Sequence, residues 1–551
     1  MRKLLVALIL ILITITSLFS CTDKDSQGPS DPSQQGPDYV YSLDAGGFAT
    51  ITRCKIKAPI IEVPNQIDGH KVVAIGGSTF FNNSTVQQII IPEGIKSVGK
   101  SAFEHCTALK TVTIPDSLEI LGSRVFYDCA KLEEIRIGDN SNLKQIGEEA
   151  FSFCRSLRTT EYGNAKYLPT ETKEHKILLS AVNTGISDAE IHDDTEIIIS
   201  NAFAGCINLS DIEIPENIKY IGDKAFYGCT SMYQIYFNAT DMQDLTHSSD
   251  IFDRAATKSK SLVLYIGNNV KRIPAYLMES STRLIGVVFN SGAGCESIGK
   301  YAFSGTPLPN FTIPKKLKTI EPYAFANCER LYEIKLDAIR LDDFSANNNV
   351  FTDAGKEVAG MTLTVGRDTE RIPANFCRSM TYLRKVTFEN NDVTKSFGAN
   401  AFYNCNNIQQ VSGTSKKGWC ESTFENEYSN PLKYGNATLS FNGNSVTEGF
   451  VLSETIDFIG DYAFVGYKNL DKIIIPSTVS YIGEHAFSGV DNLYLVYWGG
   501  TQTQWKRLDI KDGNEIIENS YVYFYSENKP TSLGNFWYLD EETGTPAVWS
   551  L

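Results

Sequence analysis

The sequence is short of almost everything an enzyme displays. It has six histidines, none at a metal-ligand spacing. It has no nucleophile-elbow motif and no phosphate-loop motif. Positive charge is scarce: 50 Lys and Arg against 65 Asp and Glu leave a net charge of -15. That balance argues against nucleic acid and against electrostatic attachment to anionic lipid. Past the first 21 residues no apolar run is long enough to span a bilayer. Tryptophan is rare, five in 551 residues, and Trp498, Trp505, Trp537 and Trp549 all fall in the last segment. These absences point away from catalysis, metals and cofactors. The remainder, 42% hydrophobic and 21% charged, is ordinary material for a buried core.

What is abundant is repetition. "IPEGIKSVGKSAFEHCTALKTVT" is followed at once by "IPDSLEILGSRVFYDCAKLEEIRIG". The shared pattern is I-P-x-x-ϕ-x-x-I-G-x-x-A-F-x-x-C-x-x-L-x-x-I-x, with ϕ aliphatic. Its Phe recurs at Phe80, Phe103, Phe126, Phe151, Phe203, Phe226, Phe303, Phe325, Phe402, Phe464 and Phe487, with weaker copies around Phe252, Tyr276, Phe351 and Phe376. A period of 22 or 23 residues over residues 39–500 predicts a solenoid of about sixteen to eighteen coils. In "LKTVTIP", Val112 and Ile114 should point inward and Thr111 and Thr113 outward. Pro115 lacks an N–H and ends the strand. The I-G pair turns the chain back inward, and A-F-x-x-C is expected to be one helical turn with Phe and Cys on the core side. A single coil buries too little to offset its ordering, so the coils stand only as a stack. A second level of repetition lies above the coil. Residues 209–303 align without a gap with residues 308–402, at an offset of 99, including the longer segments "ATDMQDLTHSSDIF" and "AIRLDDFSANNNVF".

The joint recurrence of I-P, I-G and A-F-x-x-C resembles the BspA-type leucine-rich repeat family of bacterial cell-surface proteins. The resemblance implies a β-rich α/β repeat solenoid, a right-handed curved array with a parallel sheet on its concave face. It also implies adhesion, or binding of host or neighbouring-cell proteins. "WCESTFENEYSNPLKYGNATLSFNGNSV" resembles a variant module of the same family. Residues 406–450, which contain that segment, and residues 155–200 break the rhythm and are candidates for kinks or protruding loops.

The ends are distinct. Arg2 and Lys3 precede an apolar run from Leu4 to Ile15, which is signal-peptide anatomy for residues 1–20. Leu18-Phe19-Ser20-Cys21 resembles the lipobox of bacterial lipoproteins, which implies lipid attachment at Cys21. The alternatives are a plain secretory signal and an uncleaved anchor. Residues 22–38 are polar and Pro-rich and read, with Cys21, as a tether (residues 21–38) with a reach of roughly 20–25 Å. The acidic "TDKD" resembles the surface-export signal of Bacteroides-group lipoproteins and implies an outer-membrane lipoprotein facing outward; the alternative is a solvated linker in the periplasm. "YVYSLDAGGFATITRC" (residues 39–54) reads as a β-hairpin cap. Residues 501–551 read as an aromatic-rich β cap, with an exposed aromatic platform as the functional alternative.

Seven of the twelve cysteines occupy the position three after Phe: Cys106, Cys129, Cys154, Cys206, Cys229, Cys328 and Cys405. Asn83, Thr306, Tyr467 and Val490 take the same place elsewhere, which a disulfide framework would not tolerate. A small buried thiol is the reading. Cys54, Cys295, Cys377 and Cys420 lie off the pattern and are unassigned. Asp193-Asp194 and Asp342-Asp343 are adjacent carboxylates in turns, read as solvated rather than as calcium ligands. Asp116-Ser117-Leu118 resembles an O-glycosylation sequon of the Bacteroides group.

The candidate ligand face is the outward row of the long strands: Thr111, Thr113, Glu134, Arg136, Asp211, Glu213, Gln234, Tyr236, Glu333, Lys335 and Lys385. Thr387, Lys472 and Ile474 extend it, and Tyr236 and Tyr497 are its only expected aromatics. A mixed polar stripe suits a broad protein contact better than a sugar cleft. The sequence therefore predicts a surface-exposed binding protein, an adhesin for a protein ligand of the extracellular matrix or a neighbouring cell. The alternatives are glycan capture for polysaccharide uptake and a ligand-free spacer. No cofactor, metal or nucleic acid is expected, and the membrane is met only through the lipid anchor.

Overall fold

The computed structural model describes residues 34–35, 38–389, 395–413, 415–446, 450–540, 542 and 545–549. The signal segment, Cys21 and nearly all of the tether lie outside the described residues.

Each coil makes two strands. In one coil these are Thr111–Ile114 and Ile120–Leu121. The long strand alternates half-buried and buried residues, as its Thr-Val-Thr-Ile sequence requires. Successive long strands pair in parallel and in register, with Thr111 beside Gln88 and Glu134, and Thr113 beside Ile90 and Arg136. Short strands form a second ladder of the same kind, Ile120 standing between Ser97 and Gln145. The chain is a β-rich solenoid of stacked parallel strands. Among the described residues helix is confined to Lys416–Cys420, Gln502–Trp505, Glu515–Glu518 and a single 3-10 turn at Glu427–Ser429. No helix among the described residues is long and apolar enough to cross a membrane.

The A-F-x-x-C stretch is not the expected helical turn. Arg124 and Asp128 stand in the left-handed region, at φ 56° and 55°, as do Ser101 and His105 one coil earlier. This reversal sends alternate N–H groups out of the coil. Phe126 and Asp128 donate to Ala150 and Ser152 of the next coil (2.9 Å each), while Cys129 donates back to Phe126. The turns thus form a third ladder, and no backbone donor is left for a helix. The glycine of the I-G pair also has a different reason from the expected one. A Cβ on Gly122 would lie 2.6 Å from the Gly99 carbonyl carbon and the Lys100 nitrogen. It is close coil stacking that excludes a side chain there.

The core is a set of columns. Phe80, Phe103, Phe126 and Phe151 stack with centroids 5.0–5.9 Å apart, and Phe203, Phe226 and Phe252 at 5.2 Å. Beside them the cysteine thiols donate to carbonyls of the preceding coil: Cys106 to Phe80 (3.2 Å), Cys129 to Phe103 (3.1 Å), Cys229 to Phe203 (3.2 Å). Thr306, at the same position, donates its hydroxyl to Phe303. The site asks for a small donor, which explains why Cys and Thr exchange there. Burial pushes the thiols of Cys295 and Cys328 up to about 11 and those of Cys229 and Cys405 up to about 12, so they stay protonated and weakly nucleophilic. All eleven described cysteines are free.

The long-strand ladder is not continuous. It runs from Ile60–Glu62 to Glu134–Ile137, restarts at Asp211–Ile214, runs to Leu284–Phe289, restarts at Asn310–Ile313, and restarts again at Phe450–Val451. At the first break the chain leaves the ladder as an antiparallel excursion, Thr160–Tyr162 with Ala165–Leu168 and then Ile177–Ala181. The two large core clusters meet in this excursion. At the N-terminal end Tyr39–Leu43 and Ala49–Cys54 pair antiparallel around Asp44–Phe48.

Candidate interaction surface

The ladder register turns the predicted outward residues into three separate patches. The first holds Gln88, Thr111 and Glu134 in one row and Ile90, Thr113 and Arg136 in the other. Arg136 pairs with Glu134 within its own strand (2.9 Å).

The second patch has the rows Asp211–Gln234–Val263–Gly286 and Glu213–Tyr236–Tyr265–Val288. Tyr236 and Tyr265 stack with centroids 5.0 Å apart and planes within 18°. The Tyr236 hydroxyl donates to the Gln234 Oε1 (3.0 Å), and the Gln234 amide donates to the Tyr265 hydroxyl (3.4 Å). Tyr236 is 38% exposed, Val288 42% and Ile285 43%, so this patch is apolar and open. Glu213 stands at its edge, accepting from Asn238. Tyr265 was not among the expected face residues. Its signal was the alternation of "LVLYI", which lies in a coil lacking the A-F-x-x-C marker.

The third patch has the rows Asn310–Glu333–Thr362–Lys385–Gln410 and Thr312–Lys335–Thr364–Thr387–Ser412. It is polar. Lys335 pairs with Glu389 (2.9 Å) and Asp337 (3.6 Å), and the hydrogen bond to Glu389 raises its pKa. Thr364 donates to Glu333.

Further on, Lys472, Leu495 and Tyr521 share a row, as do Ile474, Tyr497 and Tyr523. Ile474 is not exposed as expected. Trp537 folds over it and Tyr497, and all three are buried. The Trp537 indole donates to the Trp498 carbonyl (2.8 Å), and the Trp549 indole to Ser526 (2.9 Å). With Trp498 at 1% exposure and Trp537 at 5%, these rings pack the end of the stack rather than form a platform. The exposed aromatics of this end are Tyr494, Tyr521 and Tyr525.

A cleft of about 380 Å³ adjoins the first patch, between the Glu134–Ile137 strand and the loop from Leu168 to Glu171. Its polar lining is Glu133, Glu134, Arg136, Arg158, Thr170 and Glu171. Asp139 fixes the far wall: it accepts from the Thr170 hydroxyl (2.7 Å), the Thr172 hydroxyl (2.5 Å) and the Thr172 N–H (3.1 Å). The bonds from Thr172 and then Thr170 hold its carboxyl down at about 2.

Other candidates resolve into structural roles. Asp343 is an anchor rather than a solvated turn residue: it accepts from the Arg371 guanidinium (3.1 Å) and the Ala374 N–H (2.8 Å). Asp244 does the same with Arg272 and Ala275 in the first copy of the duplicated block. Ser117 donates its hydroxyl proton to the Ile95 carbonyl (2.9 Å) and accepts from the Gly94 N–H (2.8 Å), tying neighbouring turns together. His175 and His192 stack at 4.4 Å, and His105 sits between Glu104 and Asp128. Among the described residues no group of three or more His, Cys, Asp or Glu is placed to hold a metal ion.

Comparison with known families finds a match to the BspA type leucine rich repeat region in six copies, over residues 69–172, 182–252, 249–354, 348–431 and 437–507. Solved structures similar to the chain include three bacterial proteins. A leucine-rich repeat protein from Bacteroides ovatus is 18% identical, with 89% of this chain and 99% of that one covered and a TM-score of 0.31. A leucine rich cell surface protein from Faecalibacterium prausnitzii is 18% identical, with 88% and 99% covered and a TM-score of 0.22. The pneumococcal vaccine antigen PcpA is 19% identical, with 70% and 94% covered and a TM-score of 0.31. No curated protein matches the chain.

Proposed function

The chain belongs to the BspA type leucine rich repeat family, and from that premise we propose that it is a surface-held adhesin that binds protein ligands through the outward rows of its long strands. The observation that carries this reading is the duplicated block. Between residues 209–303 and 308–402 the buried positions stay apolar with few exceptions, of which Val270 and Thr369 are one pair. The outward positions are rewritten: Tyr236 is answered by Lys335, Tyr265 by Thr364, Gly286 by Lys385, and Val288 by Thr387. A scaffold kept while its face changes is what a binding surface needs. Thr111, Thr113, Glu134, Arg136, Asp211, Glu213, Gln234, Glu333 and Lys385 stand in the corresponding outward rows of the three patches. The lipobox-like ending at Cys21 and the polar tether support anchorage on the outer membrane, facing outward.

The test is capture of the full chain on immobilised extracellular-matrix proteins, with a glycan array in parallel. Saturable protein binding that is lost on charge reversal at Glu134, Arg136, Glu333 and Lys335 supports the adhesin. Binding to glycans alone removes it and favours the second reading, glycan capture, for which the stacked Tyr236 and Tyr265 are the observation. Silence on both leaves a spacer.

A further inference from the structure

The end of the first ladder is a strand edge with a gap beside it. In these parallel ladders alternate residues spend their peptide groups on alternate sides. Glu134 donates to Lys110 of the preceding coil, as Thr111 does to Gln87. The Glu133 N–H also donates to the Lys110 carbonyl (2.9 Å). By the alternation from there on, Glu134 and Arg136 face the Thr111–Ile114 strand, and Ile135 and Ile137, with the Glu133 carbonyl, face the side where the next strand would lie. The chain occupies that side only at its two ends. The Arg158 N–H donates to the Glu133 carbonyl (3.0 Å), and the Glu171 N–H donates to the Ile137 carbonyl (3.2 Å). Between them the chain bows out into the hairpin of Thr160–Tyr162 and Ala165–Leu168. Among the described residues nothing bonds to the N–H or C=O of Ile135 from that side. Pro169, on the opposite wall of the cleft, has no N–H to offer. The gap between the two flanking bonds spans about 13 Å of strand, and its volume of about 380 Å³ is in the range of ligand pockets.

We propose that this cleft takes an extended segment of a partner protein as an added strand, held by the N–H and C=O of Ile135, with a basic side chain of the segment set against Glu133 and Glu171. The main-chain groups of Ile135 supply one donor and one acceptor in the geometry of a parallel ladder. The charge is complementary to a basic segment. Arg136 is neutralised by Glu134 at 2.9 Å, which leaves Glu133 and Glu171 as exposed acids against the one remaining Arg158. The far wall is fixed in advance by Asp139, so the slot exists before the ligand arrives. This deepens the protein-binding reading and rests on it, but it names a different place from the Tyr236 and Lys335 rows.

The probe is a labelled, end-blocked Val-Lys-Val-Lys-Val peptide, titrated by fluorescence anisotropy into the full chain. Three comparisons accompany it: the same peptide N-methylated at its central residues, a Val-Glu-Val-Glu-Val peptide, and the chain carrying Glu133→Lys with Glu171→Lys. The expected result is saturable binding of the lysine peptide, weakened at least tenfold by N-methylation and at least tenfold by the double substitution, with no binding of the glutamate peptide. No saturable binding overturns the proposal. So does binding that ignores N-methylation, which would be charge attraction alone, and so does binding that ignores the double substitution, which would place it elsewhere on this acidic chain. Matrix capture by the unsubstituted chain separates the two ideas: capture found while the peptide fails to bind that chain removes the cleft and leaves the outward rows, and peptide bound without matrix capture does the reverse.

Discussion

Residues 209–303 and 308–402 are two copies of one four-coil block, and the two differ in where they are alike. Their interiors correspond: Phe226 stacks between Phe203 and Phe252, and Phe325 between Phe303 and Phe351. Their long loops are pinned alike, by Arg272 on Asp244 and Glu321, and by Arg371 on Asp343 and Glu425. Their outward rows do not correspond, the first presenting Tyr236, Tyr265 and Val288 and the second Lys335, Thr364 and Thr387. Nor do their exits. After the second copy Gln409 donates its N–H to the Arg384 carbonyl (2.7 Å) and the ladder continues to Gln410–Gly413. After the first copy the residue in that place is Pro309, which has no N–H, and the coil is one residue shorter. The ladder stops at Leu284–Phe289, and Ile285 and Val288 stay open. Selection for folding thus reads the columns, and the rows are left free to differ.

If the columns carry stability equally, Phe226→Ala and Phe325→Ala should each cost about 3–5 kcal/mol and agree within about 1 kcal/mol. Denaturant unfolding of the two variants checks this, and a large inequality would break the correspondence. Removing the loop anchors should cost less, about 1–2 kcal/mol for Arg272→Ala and for Arg371→Ala. The loss should appear as faster amide exchange confined to residues 240–254 and 339–353 respectively. Pro309→Gln sharpens the contrast at the exits. It restores a donor and should slow exchange around residues 284–290 by a factor of a few, about 0.5–1 kcal/mol, without changing the melting temperature by more than a few degrees. The smallest effect lies outside both copies, at the loop that walls the cleft. Hydrogen bonds hold the Asp139 carboxyl at about 2, below the ordinary carboxylate value of 3.8. Its hold on Thr170 and Thr172 is therefore full above about pH 4 and is lost as pH falls towards 2. Pepsin nicking within residues 168–173 should rise across that window, and Asp139→Asn should be nicked already at pH 4.

The columns were legible in the sequence because their residues recur every 22 or 23 positions and sit on an alternating strand. Thr111, Glu134, Gln234 and Lys335 were found on the outward side for the same reason. Other features carried no periodic mark. The left-handed residues of the turns, such as Arg124 and Asp128, are ordinary residue types, so the turn passed for a helix. The Arg371 anchor joins residues 28 and 54 apart in the chain, through Asp343 and Glu425, and no local pattern announces it. The burial of Ile474 depends on Trp537, which returns from the far end of the chain. The cleft beside Glu134 exists because a neighbouring strand is missing, and the broken rhythm of residues 155–200 marked the place without giving its shape.

If the outward rows bind and the columns only hold the fold, substitution can separate the two. The direct measurement gives the first copy the face of the second, through Tyr236→Lys, Tyr265→Thr and Val288→Thr together, and follows melting and matrix-protein capture on the same preparation. The expected result is a melting temperature within a few degrees of the parent and capture weakened at least tenfold. A variant that melts far lower, or one that captures its ligand as well as the parent does, would contradict it.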